Sequence, residues 1–246
     1  MKSLLLAFVV GALAPTAQAA APQINVGAIY DYLEGDKSTY LKRIYNGGDS
    51  TAFVKVTILE MHYNPDGTHE ETPVATMGAA GDREGLIASP ARLIIPAQGM
   101  QSTRLIFRGD RTRERYYRVR FVPVIPTKDD TFALDDAERE AYAKAMSAGV
   151  QVLTGYGAAF FVRPATTVFD TRQEDLPGEY RLTNAGNSTV LLDDFKSCAA
   201  GSPHECEPAR KSHVRPGESF RLEKVQGRVH RFELIEGTAR KHVEVK

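Results

Sequence analysis

Alternating apolar and polar positions run through most of the chain after its first twenty residues. In residues 115–124, for example, Tyr117, Val119 and Phe121 share one face while arginines occupy the other. A period of two is typical of half-buried antiparallel strands, and turn-forming residues separate the segments. We therefore predict β-strands over residues 24–33, 39–46, 52–63, 91–96, 100–107, 115–124, 179–184, 189–198, 218–225, 228–237 and 240–246.

Residues 135–146 depart from this pattern. Their alanine-rich composition favours a helix, and Asp135 with Glu138 three positions later is typical of an N-terminal capping box. This predicted helix lies within a connection that runs from Ile125 to about residue 145. A connection of that length between two strands is unusual, and such connections are often functional or mobile.

Residues 146–162 contain no charged side chain. In the first half, four apolar residues alternate with small or polar ones, whereas residues 156–162 are apolar on both faces. The second half is therefore expected inside its own domain. The first half has two interpretations: an edge strand that packs its apolar face on its own core, or a strand that offers this face to a partner. The four residues are Met146, Ala148, Val150 and Val152.

The predicted strands fall into two groups, separated by a polar stretch over residues 165–178 that we interpret as a linker. Short, closely spaced strands with hardly a helix between them are typical of β-sandwiches. The prediction is an all-β protein with two β-sandwich domains in tandem. The first would span residues 20–165 and the second residues 166–246.

The start of the chain is typical of a secretory signal peptide. Lys2 precedes a short apolar run, and Ala17-Gln18-Ala19 provides a small-x-small cleavage site, so residues 1–19 are predicted to be removed. The apolar run is too short for a permanent membrane anchor. Since export leads to an oxidising compartment, the only two cysteines, Cys198 and Cys206, are expected to form a disulfide.

Charge and motifs exclude several function classes. The chain has 31 Lys and Arg and 31 Asp and Glu, a balance that gives no electrostatic footprint for nucleic acid or an anionic membrane. It contains no GxSxG, HExxH or Gly-rich phosphate loop, so we predict no enzymatic activity and no cofactor. A zinc site is the alternative to the disulfide. Its ligands would be Cys198, His204, Cys206 and His213.

Several segments resemble one known family. "GLIASPARLIIPAQGMQSTRLIF" followed by "YYRVRFVPV" is similar to strands of the periplasmic pilus chaperones of the chaperone–usher pathway. "LTNAGNSTVLLDDFKSC" and "VRPGESFRL" resemble the second domain of the alpha-fimbrial, or common-pilus, branch, and "INVGAIYDYLEGDKSTYLKRIYN" resembles the first strands of that branch. The order of the segments and the signal peptide extend the resemblance over essentially the whole mature chain.

The resemblance implies two immunoglobulin-like domains in a boomerang arrangement. It also implies a periplasmic chaperone that binds, folds and caps fimbrial subunits and delivers them to an outer-membrane usher. Such subunits lack one strand, which the chaperone lends by donor-strand complementation. The alternative function is an exported fimbrial structural subunit or adhesin. That function would need a spare N-terminal strand, for which we expect too few residues after the cleavage site.

The resemblance also assigns residues to this function. The donor residues that face the subunit would be Met146, Ala148, Val150 and Val152. Better-known family members anchor the subunit's C-terminal carboxylate with an arginine and a lysine, at places where this chain has Gly27 and Gly157. An anchor here would use backbone N–H groups beside these glycines or a nearby cation. The candidate cations are Lys42, Arg43, Arg118 and Arg120.

Exposed apolar strand edges promote aggregation and are normally covered. We therefore expect residues 126–147 to be mobile in the free protein and to become ordered, partly as an added strand, on a bound subunit.

Overall fold

The structure is a computed structural model that describes residues 21–64, 66–74, 84–147 and 151–246. The predicted signal peptide lies outside the described residues. Within them the chain is nearly all β-strand and forms two sandwiches, each with its own apolar core. The prediction of an all-β fold with two sandwiches is confirmed. No helix in the described part of the chain is long and apolar enough to cross a membrane.

The first sandwich is built from strands β1 to β10. They are β1 (Ile24–Asn25), β2 (Tyr30–Leu33), β3 (Thr39–Asn46), β4 (Ala52–Tyr63), β5 (His69–Pro73), β6 (Gly85–Ser89), β7 (Arg92–Ile95), β8 (Met100–Arg108), β9 (Arg115–Val124) and β10 (Tyr156–Val162). One sheet has the order β1-β3-β8-β6, and the other has the order β2-β10-β9-β4-β5, with β7 also paired to β4. Alternate side chains, such as Ile44, Leu105 and Tyr117, point inward and fill the space between the sheets.

The connection between β9 and β10 contains a 3-10 turn (Lys128–Asp130) and the helix α1 (Asp136–Ser147). The predicted capping box is present, because the Glu138 amide donates to Asp135 Oδ1 at 2.7 Å and the Asp135 amide donates to Glu138 Oε2 at 3.0 Å. The expected strand conformation is wrong at Met146, which lies in the last turn of α1, and at Val152, which precedes β10. Capping and alanine-rich composition carry the helix through Met146.

The second sandwich contains strands β11 to β18. They are β11 (Thr171–Leu176), β12 (Glu179–Asn184), β13 (Val190–Ala199), β14 (Ser202–Cys206), β15 (Arg210–Val214), β16 (Ser219–Glu223), β17 (Arg228–Glu236) and β18 (Ala239–Val245). Its sheets have the orders β11-β12-β16 and β14-β13-β17-β18, with β15 also paired to β13. Residues 171–176 were predicted as linker, which is wrong. They form an exposed edge strand, so they carry no apolar alternation to reveal it.

The predicted disulfide between Cys198 and Cys206 is confirmed. The two residues face each other across β13 and β14. The zinc alternative is wrong, because the disulfide uses two of its four ligands and a third, His213, stacks on Phe161 of the first sandwich with ring centroids 5.2 Å apart.

The two sandwiches meet through a buried polar contact and an aromatic cluster. Glu114, beside the start of β9, accepts hydrogen bonds from Ser188 Oγ at 2.7 Å and from the Thr189 amide and hydroxyl at 2.9 and 2.5 Å. Phe161 contacts His213 on its outer side, while Phe160 and Val162 enter the core of the first sandwich. The two-sided apolar character of β10 therefore has two causes: one face lies in the core and the other meets the second sandwich.

Candidate functional site

The chain crosses from one sheet of the first sandwich to the other between β1 and β2. Gly27 lies in this crossing with φ of 67°, a left-handed conformation that glycine adopts without strain. A Cβ at Gly27 would meet nothing within 4 Å, so the backbone conformation and not close packing explains the glycine. The Asn25 side chain stabilises the turn by accepting from the Gly27 amide at 2.7 Å.

The crossing leaves part of β10 with an open edge. β2 pairs in parallel with β10 only from Ala159 onward, whereas β9 pairs with β10 from Tyr156. Among the described residues, Tyr156–Ala158 therefore have a strand partner on one side only. β1 likewise pairs with β3 alone within the described part of the chain. Unpaired N–H and C=O groups on such edges are the usual place where another strand adds to a sheet.

A groove of about 650 Å³ lies between these two open edges. It is lined by residues of β1, the end of β3 and the approach to β10, namely Pro22, Gln23, Ile24, Asn25, Tyr45, Gly47, Val152, Thr154 and Tyr156. We call it the edge groove. Val152 is 72% exposed there, more than any other large apolar side chain in the described residues, and Tyr45 is 48% exposed.

The structure separates the predicted donor residues. Val152 lies at the edge groove, whereas Met146 is buried in α1 with 4% exposure. Ala148 and Val150 lie outside the described residues. The role of the four residues in binding a fimbrial protein stays a prediction.

The register of β10 limits how far this segment can pair inside its own sandwich. Tyr156 is opposite Phe121 in the antiparallel pair with β9. Extending that register by three residues places Leu153 opposite Val124, where β9 ends. Residues before Leu153 would run past the end of β9 if they became extended. They would then need a strand from another molecule to satisfy their backbone groups.

Two of the candidate cations on β3 differ sharply in environment. Lys42 is buried, and its Nζ lies 2.6 Å from Asp31 Oδ2 and donates to the Ala28 carbonyl at 2.5 Å. It therefore holds the β1–β2 crossing and has a partner for its charge. Arg43 is exposed on the opposite face of β3, and no hydrogen bond or ion pair from it is found among the described residues.

Arg118 and Arg120 lie on the outer face of β9 and share one carboxylate. Arg118 Nε is 3.0 Å from Glu71 Oε1, and Arg120 Nη2 is 2.6 Å from Glu71 Oε2. Burial alone would raise the pKa of Glu71, but the two guanidinium groups hold that pKa below its usual value. A Cβ at Gly157 would lie 3.0 Å from Arg118 Cδ, so the glycine leaves room for the arginine to cross β10 beside the open edge.

The sequence reasoning missed Tyr45 and Tyr156 as site residues. Both are large, partly exposed aromatics at the edge groove. Tyr45 carried a usable signal, because it alternates with buried Ile44 and Asn46 on β3 and therefore points outward. Its proximity to residues 151–156 could not be read from the pattern, since it depends on how β1 crosses between the sheets.

Comparisons with known proteins agree on one class of molecule. The chain is 30% identical over 210 residues to a CS1 fimbrial protein of Escherichia coli, covering 83% of each chain. It is 27% identical over 227 residues to "Probable fimbrial chaperone EcpB" of Escherichia coli O157:H7, covering 90% of this chain and 88% of that protein.

Among solved structures, the class 5 fimbriae chaperone CfaA superposes with a TM-score of 0.54 at 19% identity, over 91% of this chain and 99% of that one. At this identity the likeness shows the fold alone. No protein-family model matches the sequence.

Proposed function

Since the chain belongs to the fimbrial chaperones of the chaperone–usher pathway, we propose that it binds incomplete fimbrial subunits in the periplasm at the edge groove and passes them to an outer-membrane usher. The binding energy would come from strand addition and apolar contacts, so the action needs no cofactor or catalytic group. The carrying observation is the open edge of β10 at Tyr156–Ala158 beside the highly exposed Val152.

The donor segment would run from Met146 to Val152 and lend its alternating apolar residues to the subunit. The end of β9 at Val124 supports this, because the segment has no strand beside it in its own sandwich once it is extended. Burial of one valine or methionine side chain contributes about 1.5–3 kcal/mol before ordering costs. A structural fimbrial subunit, the alternative function, would lack a strand of its own. The two sandwiches with separate, filled cores favour the chaperone.

For the subunit's C-terminal carboxylate, Arg118 is the best supported of the four candidate cations. It lies across Gly157 on the open strand and already binds a carboxylate, that of Glu71. Arg120 would assist from the same face of β9. Lys42 is the least suited, since Asp31 neutralises it inside the sandwich.

The test is co-expression in the periplasm with a fimbrial subunit encoded next to the chain's gene, followed by purification of the complex. Val152→Glu should abolish the complex, because an unpaired carboxylate in an apolar pocket costs several kcal/mol. The variant should remain folded, since Val152 is 72% exposed in the free chain.

The matched control is Val225→Glu, which places the same change at a 54% exposed valine of the second sandwich. We expect it to form the complex as the wild type does. If Val152→Glu and the control captured the subunit equally well, the assignment of the edge groove would be contradicted. Absence of any complex with the wild type would contradict the proposed function.

A further inference from the structure

The helix α1 covers an aromatic residue on the outer face of the first sandwich. Phe53 lies between Ala52 and Val54, which both enter the core, so its side chain points away from the core. It is nevertheless 4% exposed. Tyr142 of α1 contacts it edge-on with centroids 4.8 Å apart, and Phe132 contacts it at 5.4 Å. Tyr142 also donates from its hydroxyl to the Thr51 carbonyl at 2.8 Å.

Met146 shares this docked face of the helix. It follows Tyr142 by four positions, a spacing that places two side chains one above the other. Its 4% exposure fits this position, because a residue in the last turn of a solvent-facing helix would be exposed. The first predicted donor residue is therefore helical and covered in the free chain.

The beginning of the same connection is held by a separate contact. Lys55 Nζ lies 2.6 Å from Asp130 Oδ1, and Arg92 Nε donates to the Asp130 carbonyl at 2.7 Å. The Lys55 ammonium and the Thr127 amide hold the pKa of Asp130 at about 2, so this tether keeps its charge at neutral pH. Release of α1 would therefore leave the connection attached to the sandwich at Asp130.

We propose that α1 is an intramolecular latch that competes with the fimbrial subunit for the donor segment. The docked helix and an extended donor strand exclude each other, since Met146 cannot be helical and part of a ladder at once. A helix of this length is marginal in water without tertiary contacts, so undocking from Phe53 and unwinding occur together. This inference rests on the proposed function and adds a step that regulates it.

The latch lowers the apparent affinity for the subunit in proportion to the fraction of molecules in which α1 is released. Tyr142→Ala removes the ring contact and the hydrogen bond to Thr51 and should raise that fraction. With one aromatic contact and one hydrogen bond lost, we expect about a tenfold gain in apparent affinity. Tyr142→Phe keeps the ring and should give a smaller gain, on the order of threefold.

Competition in one periplasm measures this gain directly. Wild type and variant carry different tags and are co-expressed with a limiting amount of the fimbrial subunit encoded next to the chain's gene. The ratio of the two tags in the purified complex reports relative affinity. Lys144→Ala, at an exposed position of the same helix, is the matched control and should give a ratio of about one by the same arithmetic.

Hydrogen exchange on the free proteins provides the second measurement. Amides of α1 should exchange faster in Tyr142→Ala than in the wild type or Lys144→Ala, while amides of β4 and β9 keep their protection. Unchanged exchange in α1, or capture of Tyr142→Ala at or below the wild-type level, would overturn the latch. If neither tagged protein captures the subunit, the proposed function itself fails, and the latch with it.

Discussion

The buried ion pair between Lys42 and Asp31 joins β3 to β2 inside the first sandwich. Tyr40 also donates its hydroxyl to Asp31 at 2.6 Å, and burial together with this carboxylate raises the pKa of Tyr40. The lysine, the tyrosine and the aspartate thus form a satisfied polar cluster where the chain crosses between the sheets. Such a cluster is costly to break, because the remaining partner would be an uncompensated buried charge.

Lys42→Met should therefore lower the free energy of unfolding by about 3–5 kcal/mol, measured by urea denaturation. Replacing both partners, as in Lys42→Met with Asp31→Leu, should recover most of that loss, since no unpaired charge remains. Arg43→Met, at the exposed neighbouring position, is the control and should change stability by less than about 0.5 kcal/mol. A Lys42→Met protein of wild-type stability that fails to bind the subunit would instead identify Lys42 as a carboxylate anchor.

At the scale of elements, the sequence predicted most strands because one face of each is buried. β3 and β9 show strict alternation, and their predicted bounds match the observed ones. β5 and β11 are polar edge strands whose exposed faces leave no period of two, so the pattern could not reveal them. Strands are found there because a neighbouring strand supplies backbone partners, which is information from the tertiary fold.

The candidate site was less predictable for the same reason. Val152 was identified by its alternation, but the edge groove joins residues far apart in the sequence through the crossing at Gly27. Met146 lies where two local tendencies compete: alternation favours a strand, and the capped, alanine-rich run favours a helix. In the free chain the docking of α1 on Phe53 decides this competition for the helix.

The hairpin of β13 and β14 carries the disulfide, which closes a short loop far from the edge groove. A double Cys198→Ala and Cys206→Ala change should lower the unfolding free energy by about 2 kcal/mol, because the cross-link restricts the unfolded chain. Thermal unfolding with and without reductant measures this loss. Capture of the fimbrial subunit should stay at the wild-type level. A loss of capture without a loss of stability would place part of the binding surface on the second sandwich.

At the scale of the whole molecule, the joint between the sandwiches contains charged and titratable groups in apolar surroundings. Arg163 lies between the rings of Tyr32 and Phe169, each with its centroid 4.9 Å away, and His213 lies over Tyr30 with centroids 4.3 Å apart. These contacts link the end of β10 to the second sandwich. The position of the donor strand is therefore coupled to the packing between the two sandwiches.

The joint should weaken in acid. Burial, reinforced by Lys211 and opposed by Asp193, lowers the pKa of His213 from 6.5 to about 4. The folded state then binds fewer protons than the unfolded state, so the stability from the neutral ring is complete above pH 6.5 and is lost as the pH falls toward 4. At pH 5 the unfolding free energy should be about 2 kcal/mol lower than at pH 7 from this group.

Urea denaturation at the two pH values tests this, with His213→Phe as the variant that keeps a stacked ring and cannot titrate. Its pH dependence should be smaller than that of the wild type by about 2 kcal/mol, and the remainder should include His230, whose pKa burial also lowers. His242→Gln, at an exposed position, should keep the wild-type dependence. Equal pH dependence in His213→Phe and the wild type would show that the ring against Tyr30 and Phe161 titrates freely, and that the two sandwiches separate at this joint in solution.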